Sequence, residues 1–290
     1  MSVVGTYKLN YSPQHLALRR IHADNEFEKE VRFLNLERGH TTFLEQWVPG
    51  KVYQTQRSPL REFRIFVINL PETEMGQKRM KLMNTTVWAP FMEVFHGIYG
   101  KTYDYSTDVR QRIINTHWNY GKWKGQRTKI IAMTPGEIGV SLSHYRIWEK
   151  IVFEGIPKTI ILEDDSSHVC SGFERKLEIV LEYLPDDWDI FLISFWLHQG
   201  DDGHRVNDYI SRVNNFVFLN CYAVSLKGAR KLIKNTPINM PVDSWIASLS
   251  KSLKIYRHHF QSSVYDCRGL LVWQASKKEV GSAIDHTNNW

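Results

Sequence analysis

The chain has 290 residues, 42% of them hydrophobic and 23% charged, with a net charge of +6 and a pI near 9.1. This composition is ordinary for a globular protein and excludes a disordered or collagen-like chain. No window approaches the roughly 18 apolar residues of a membrane-spanning helix. The basic residues fall in short, separate groups ("LRR", "KKE", "RHH"), so net charge alone gives no nucleic-acid footprint.

The opening "MSVVGTYKLNYSPQHLALRR" has neither the basic start nor the apolar core of a signal peptide. The three cysteines, Cys170, Cys221 and Cys267, form no C-x-x-C pair, which fits a reducing compartment. A cytoplasmic protein is expected. Residues 1–60 show no clear period and are read as an N-terminal extension packed on a main α/β domain over 61–290.

The main domain starts with an apolar strand, "FRIFVINL", closed by Pro71. "GQKRMKLM" reads as a helix and "FMEVFHGI" as a second strand. Residues 100–129 look like a long loop, within which "THWNYGKWKG" offers rings for stacking on sugars, rings for stacking on bases, or plain packing.

The clearest helix signal follows. In "TPGEIGVSLSHYRIWEKIV", Thr134 is a candidate N-cap, Pro135 takes the first helical position, and Glu137 completes a capping box. Glu137, Ser141 and His144 share one face, beside the apolar strip of Ile138, Leu142, Tyr145 and Trp148. Ser143 is expected on the far side with Arg146 and Lys150. Gly155 and Pro157 end the helix.

The strand "KTIILEDD" comes next, then the helix "FERKLEIVLEYL" and the strand "WDIFLIS". After the polar loop "HQGDDGHRVND" come one long strand, "FVFLNCYAVS", the helix "KGARKLIKN", and "PVDSWIASL". Strands alternating with helices predict a mainly parallel sheet flanked by helices. In such sheets ligands collect at the carboxyl ends of the strands.

Glu163, Asp164 and Asp165 stand at such an end. Three adjacent carboxylates repel unless something positive compensates them. Alternation puts Glu163 and Asp165 on one side and Asp164 on the other. Two carboxylates on one side suit a shared Mg²⁺ or Mn²⁺, which prefers oxygen ligands and leaves positions for phosphates. Asp165, at the strand tip, is expected to be the most open and the direct ligand. The competing reading is a solvated turn, since "DDSS" is also capping chemistry. A lone helical histidine such as His144 is ordinarily structural.

Taken in order, "FVINLPETEMGQKRM", "MTPGEIGVSLSHYRIWEKI", "TIILEDDSSHV", "WDIFLIS", "CYAVSLKGARKLI" and "MPVDSWI" resemble glycosyltransferase family 25. The resemblance covers about Phe63 to Ala247. It implies a GT-A-like, Rossmann-related fold and an inverting transferase of a hexose, galactose or glucose, from a UDP-sugar, usually with Mn²⁺. It implies a glycan or a collagen-like protein as acceptor. Carried over by position, Asn69 and Arg79 lie near the nucleotide, and Glu137, Gly139, Ser143 and His144 match a "GEIG…SH" element. Glu163, Asp164 and Asp165 match the metal and nucleotide motif, with Glu163 and Asp165 on the metal, and Asp243 matches the "PVD" aspartate, taken as general base. The chain departs from the pattern at "PETEMGQKR", at "FWLHQG" and in the C-terminal "VWQASKKEVGSAI". The alternatives are a metal-dependent phosphohydrolase or nuclease and a nucleotide-sugar-binding protein without turnover. Nucleic acid is not an expected partner.

Overall fold

The structure, a computed structural model, describes residues 58–120, 128–170, 172–197, 203–259 and 271–275. The extension expected over residues 1–60 lies outside them except for its last three residues. A 3₁₀ turn, Pro59–Glu62, leads into β1, Arg64–Asn69, whose residues are buried beyond the first. α1, Glu74–Met83, follows; the Thr73 side chain accepts the Gly76 N–H at its start. β2 is Met92–His96.

The stretch read as a loop over 100–129 is partly ordered into elements. It holds the short α2, Ser106–Arg110, and β3, His117–Asn119, which pairs with β4, Ile130–Ala132. The local polarity hid α2: its buried Asp108 bonds Arg146 and the Tyr103 hydroxyl, a tertiary contact with no sequence period. Of "THWNYGKWKG", Trp118 is buried in the core with Tyr120 edge-on at 5.4 Å; residues 121–127 lie outside the described residues.

α3, Pro135–Glu154, carries the expected capping box. Thr134 Oγ1 accepts the Glu137 N–H, and Glu137 Oε2 accepts the Thr134 N–H at 2.7 Å. Gly155 ends it in the left-handed conformation, φ 65°. β5, Lys158–Glu163, then β6, His168–Val169, and α4, Phe173–Tyr183, follow. β7, Ile190–Leu192, β8, Trp196–Leu197, β9, His204–Arg205, and β10, Ile210–Arg212, come next.

The long strand expected over "FVFLNCYAVS" is two strands. β11, Phe216–Val217, pairs with β8, while β12, Cys221–Ser225, enters the main sheet. The break is at Phe218, whose φ of 67° cannot continue a strand. The chain continues through α5, Leu226–Lys234, α6, Val242–Ser248, β13, Ile255–His258, and β14, Val272–Trp273.

The main sheet has eight strands in the order β2-β1-β5-β12-β7-β13-β10-β9. Only β12 and β10 run against the rest, so six of the eight share a direction. This is the mixed α/β, mostly parallel sheet expected of a GT-A-like fold. Apolar side chains fill both faces. One cluster joins α3, α5 and α6 to the sheet through residues such as Phe66, Trp148, Tyr222 and Trp245. The other joins α4 through Val67, Trp88, Leu162, Leu177 and Phe191. β1, β2 and β5 therefore end side by side, and their carboxyl ends open together.

Candidate active site

A cleft lies across those strand ends. Asn69 from β1, Arg79 from α1, the Gly97–Lys101 segment after β2, and Glu163 and Asp164 from β5 line it. The first turns of α3 close its side through Gly136, Val140 and Ser143.

Asp164 is the anchor of the acidic cluster. Arg79 Nη1 donates to Asp164 Oδ1 and Asn69 Nδ2 to Asp164 Oδ2, both at 2.7 Å. Burial pushes the Asp164 pKa up, and Arg79 and Asn69 pull it back. Asp164 is thus already neutralised by the protein. Arg79 Nη2 also approaches Asp165 Oδ2 at 3.6 Å.

Glu163 and Asp165 remain. Side-chain exposures are 25% for Glu163, 9% for Asp164 and 14% for Asp165. Asp165, expected to be the most open carboxylate, is tucked in, and Glu163 is the most open. The reason is that β5 ends at Glu163 and the chain turns inward at once: Ser166 N–H bonds Glu163 O, and Asp165 O accepts the Ala275 N–H. Burial and the nearby Glu163 charge push the Asp165 pKa to about 7. Asp165 Oδ1 is buried without a hydrogen-bond partner among the described residues.

Three groups around this pair gave no sequence signal. Gln274, from the C-terminal "VWQ", donates to Glu163 Oε2 at 3.4 Å and bonds the Asp165 side chain. It arrives because β14 pairs with β6. Asn220 fixes the turn after β5: its carbonyl accepts the Glu163 N–H and the Ser166 hydroxyl, while its side chain bonds Ser166 and Ser194. Tyr222 lies under His144. Each comes from a distant strand, and only knowledge that β12 sits beside β5 reveals two of them.

His144 is fully buried, with Nδ1 3.0 Å from the Tyr222 hydroxyl and Nε2 3.6 Å from Glu163 Oε1. Trp148 Nε1, a donor only, also meets the Tyr222 hydroxyl at 2.9 Å.

The "GEIG…SH" residues divide. Ser143 is not on the far side with Arg146 and Lys150. It is buried, accepting the Ile98 N–H at 2.8 Å and donating to Gly139 O at 2.7 Å. The helix face turns toward the Gly97–Lys101 segment, which the helical period alone does not reveal. Gly139 permits that approach: a Cβ there would sit 2.4 Å from Ile98 O. Glu137 is spent on the capping box, away from the acidic cluster. Its carboxylate holds the start of α3.

Asp243 is not the N-cap of α6, which is Pro241; it is the second residue of the helix. Its Oδ1 accepts the Ser244 N–H at 2.6 Å and its Oδ2 the Phe218 N–H at 3.1 Å. Burial pushes its pKa up, those two bonds oppose the rise, and the Glu163 charge adds to it. Asp243 therefore senses Glu163 electrostatically while belonging to a separate element.

The residues fit a hard divalent cation in one respect. The carboxylate pair Glu163 and Asp165 is only partly compensated, by Arg79 Nη2 3.6 Å from Asp165 Oδ2, and the unpartnered Asp165 Oδ1 is an oxygen that a cation would satisfy. No group of three or more His, Cys, Asp or Glu poised for a metal is found among the described residues.

The chain is 28% identical over 221 residues to procollagen galactosyltransferase 1-B of Xenopus laevis, covering 72% of this chain and 34% of that protein. It is 30% identical over 141 residues to procollagen galactosyltransferase 1 of Danio rerio, 44% of this chain and 23% of that one. It is 31% identical over 121 residues to inactive glycosyltransferase 25 family member 3 of Mus musculus, 39% and 20%. The chain thus spans about a third or less of these relatives. A cytidylyltransferase structure from Leptospira borgpetersenii aligns at TM-score 0.35 and 8% identity, over 73% of this chain and 82% of that one. The profile described as glycosyltransferase family 25 (LPS biosynthesis protein) matches residues 63–246, and the chain belongs to that family.

Proposed function

We propose that this chain is an inverting, metal-dependent hexosyltransferase that takes galactose or glucose from a UDP-sugar and passes it to an acceptor hydroxyl of a glycan or collagen-like protein. The observation that carries the reading is the division of labour in the acidic cluster. Arg79 and Asn69 hold Asp164 directly, leaving Glu163, which lines the strand-end cleft, and its neighbour Asp165 only weakly compensated.

Glu163 and Asp165 would hold Mn²⁺ or Mg²⁺, and a bound cation supplies Lewis-acid stabilisation of the departing diphosphate. The chain's own groups do the rest. Asn69, Arg79 and the loop pinned by Ser143 shape the nucleotide side, and His144 holds Glu163 in place. Gly139 and Glu137 keep α3 and its loop in register. Asp243, set apart from the metal pair, is the base. The acceptor oxygen bonds to the anomeric carbon as the bond to the diphosphate oxygen breaks, and the acceptor proton passes to the Asp243 carboxylate.

A cytoplasmic site of action belongs to the same proposal. It is supported by the buried free thiol of Cys221, and is compatible with the finding that no described helix is long and apolar enough to cross a membrane. Similarity to relatives named inactive supports a second reading, a nucleotide-sugar-binding protein without turnover. UDP release from a panel of UDP-hexoses, with and without Mn²⁺, decides between the two. The enzyme reading expects Mn²⁺-dependent release with one hexose preferred. Mn²⁺-dependent binding with no release from any of them overturns it in favour of the second.

A further inference from the structure

Two large rings stand in the open, one of them on the residue whose backbone bonds Asp243. Trp196 is 54% exposed and Phe218 is 48% exposed. Their centroids are 6.5 Å apart and their planes tilt by 59°. Both belong to the small β8–β11 ribbon or its edge, where Val217 pairs with Trp196. An open wedge of two aromatic rings exposes apolar surface that a soluble fold ordinarily covers.

The wedge is tied to the base candidate. Phe218 holds a φ of 67°, rare for an aromatic residue, and its N–H donates to Asp243 Oδ2 at 3.1 Å. That bond ties the Phe218 backbone to the Asp243 carboxylate. On the other side, Asp243 lies close enough to Glu163 for the two charges to interact. The Phe218 backbone thus links the ring pair to the base candidate, whose charge interacts in turn with that of Glu163.

We propose that Trp196 and Phe218 form the acceptor platform, and that they receive a pyranose ring of a glycan. The proposal rests on the transferase reading above and narrows its acceptor. A pyranose has an apolar face of C–H bonds and a rim of hydroxyls. Two tilted rings supply ring-sized apolar walls, and the adjacent carboxylate accepts from a hydroxyl at the rim. An extended polyproline-like strand of a collagen-type substrate repeats about every 9 Å, at roughly 3.1 Å per residue and three residues per turn, and is recognised by a row of aromatic ridges. A single wedge matches one ring.

The test is direct binding, independent of turnover. Saturation-transfer NMR on the full chain uses methyl β-galactopyranoside, methyl β-glucopyranoside and a Gly-Pro-hydroxyproline peptide as probes. Calorimetry with UDP-galactose and UDP-glucose, plus Mn²⁺, runs in parallel on the native chain. The expected result is saturation of the pyranose C–H protons, reduced about tenfold by Trp196→Ala and by Phe218→Gly. Glycine adopts the φ of position 218 freely, so the second variant removes the ring without backbone strain. Phe153→Ala, which removes a 90% exposed ring on α3, leaves the signal unchanged. No saturation of either glycoside overturns the platform, as does a signal that survives both wedge variants. Binding of the peptide alone, lost in both variants, overturns the pyranose assignment. Failure of the calorimetric arm with intact glycoside binding removes the UDP-hexose donor while leaving the platform standing.

Discussion

Tyr222 donates its phenolic proton to Nδ1 of His144, and this decides which edge of the imidazole faces Glu163. The assignment follows from the network. Trp148 Nε1 can only donate, so among the contacts of the buried Tyr222 hydroxyl, His144 Nδ1 is the one acceptor available for its proton. With Nδ1 accepting, the ring proton sits on Nε2, the nitrogen 3.6 Å from Glu163 Oε1. Tyr222→Phe strands both a buried donor and a buried acceptor. A loss of about 1–3 kcal/mol is expected, a fall in Tm of about 2–4 °C for each kcal/mol in a chain of this size. Thermal melts check the loss, and ¹⁵N shifts of His144 check the tautomer; a proton on Nδ1 in the native chain would overturn the assignment.

Arg79 and Asp164 are expected to be strongly coupled. Arg79→Met leaves a buried carboxylate without its guanidinium and should cost about 3–5 kcal/mol. In the double variant Arg79→Met/Asp164→Asn the stranded charge is gone, so most of that loss should return. Urea unfolding of the two singles and the double measures the coupling. Additive losses would show that the 2.7 Å pair is not an energetic unit.

The capping box at Thr134 and Glu137, the strand ending in Glu163, and the order of the strand–helix units were legible because each is encoded within about twenty neighbouring residues. The resemblance extended this to the acidic cluster and Asp243. What the sequence hid was set by pairing between distant strands. Gln274 reaches Glu163 only because β14 returns to β6, and Ser143 faces a loop rather than solvent because that loop folds onto α3. Phe218 looked like mid-strand; its positive φ, found together with the Asp243 bond, leaves no mark in composition.

Asp243→Asn is expected to lower both stability and rate. The carboxylate accepts two backbone N–H groups, one on each oxygen. An amide has one carbonyl oxygen, so its NH₂ must face one of those N–H groups. The two-sided contact argues for a loss of about 1–2 kcal/mol. A base role adds a rate loss of about 10²–10⁴-fold on the folded fraction. Melts combined with single-turnover rates at a temperature where the variant is fully folded separate the two effects. A normal single-turnover rate removes Asp243 from the catalytic set.

His258 should make the fold acid-sensitive. It is fully buried, packs near the Phe191 and Phe195 rings, and donates from Nε2 to Ile193 O at 3.2 Å. Burial depresses its pKa to about 3 from the ordinary 6.5. Its neutral form is fully accommodated above pH 6.5. As pH falls from 6.5 toward 3, the unfolded chain takes up a proton that the folded chain refuses, and stability drops by up to about 1.4 kcal/mol per pH unit. The raised carboxylates Asp164, Asp165 and Asp243 act in the opposite sense, so the native profile is a sum. His258→Gln keeps a donor for Ile193 O and does not titrate. Its stability should therefore fall less steeply between pH 6.5 and 4 than that of the native chain. Parallel slopes in urea titrations across that range would place the acid sensitivity elsewhere.

Asp165→Asn is expected to strengthen the metal-free protein while weakening its ligand binding. At neutral pH the Asp165 carboxylate is buried beside Glu163, and its Oδ1 has no partner among the described residues. Its pKa is raised to about 7, which means that the folded state holds this charge at a cost that the unfolded chain does not bear. Asparagine removes the charge and keeps the shape. In EDTA at pH 8 the variant should melt higher than the native chain, by a few degrees for a gain on the order of 1–2 kcal/mol. The sign depends on pH: below about pH 4 both carboxyl states are protonated and the advantage vanishes. With Mn²⁺ and UDP the order should invert. The native chain gains stability from the bound ligands, and the variant, with one oxygen ligand weakened, gains less. Thermal shifts at pH 8 with EDTA, with Mn²⁺, and with Mn²⁺ plus UDP give all three comparisons in one experiment. A variant that is destabilised in EDTA would mean that the Asp165 charge is compensated by the fold itself. Equal ligand-induced shifts in both chains would take Asp165 off the metal.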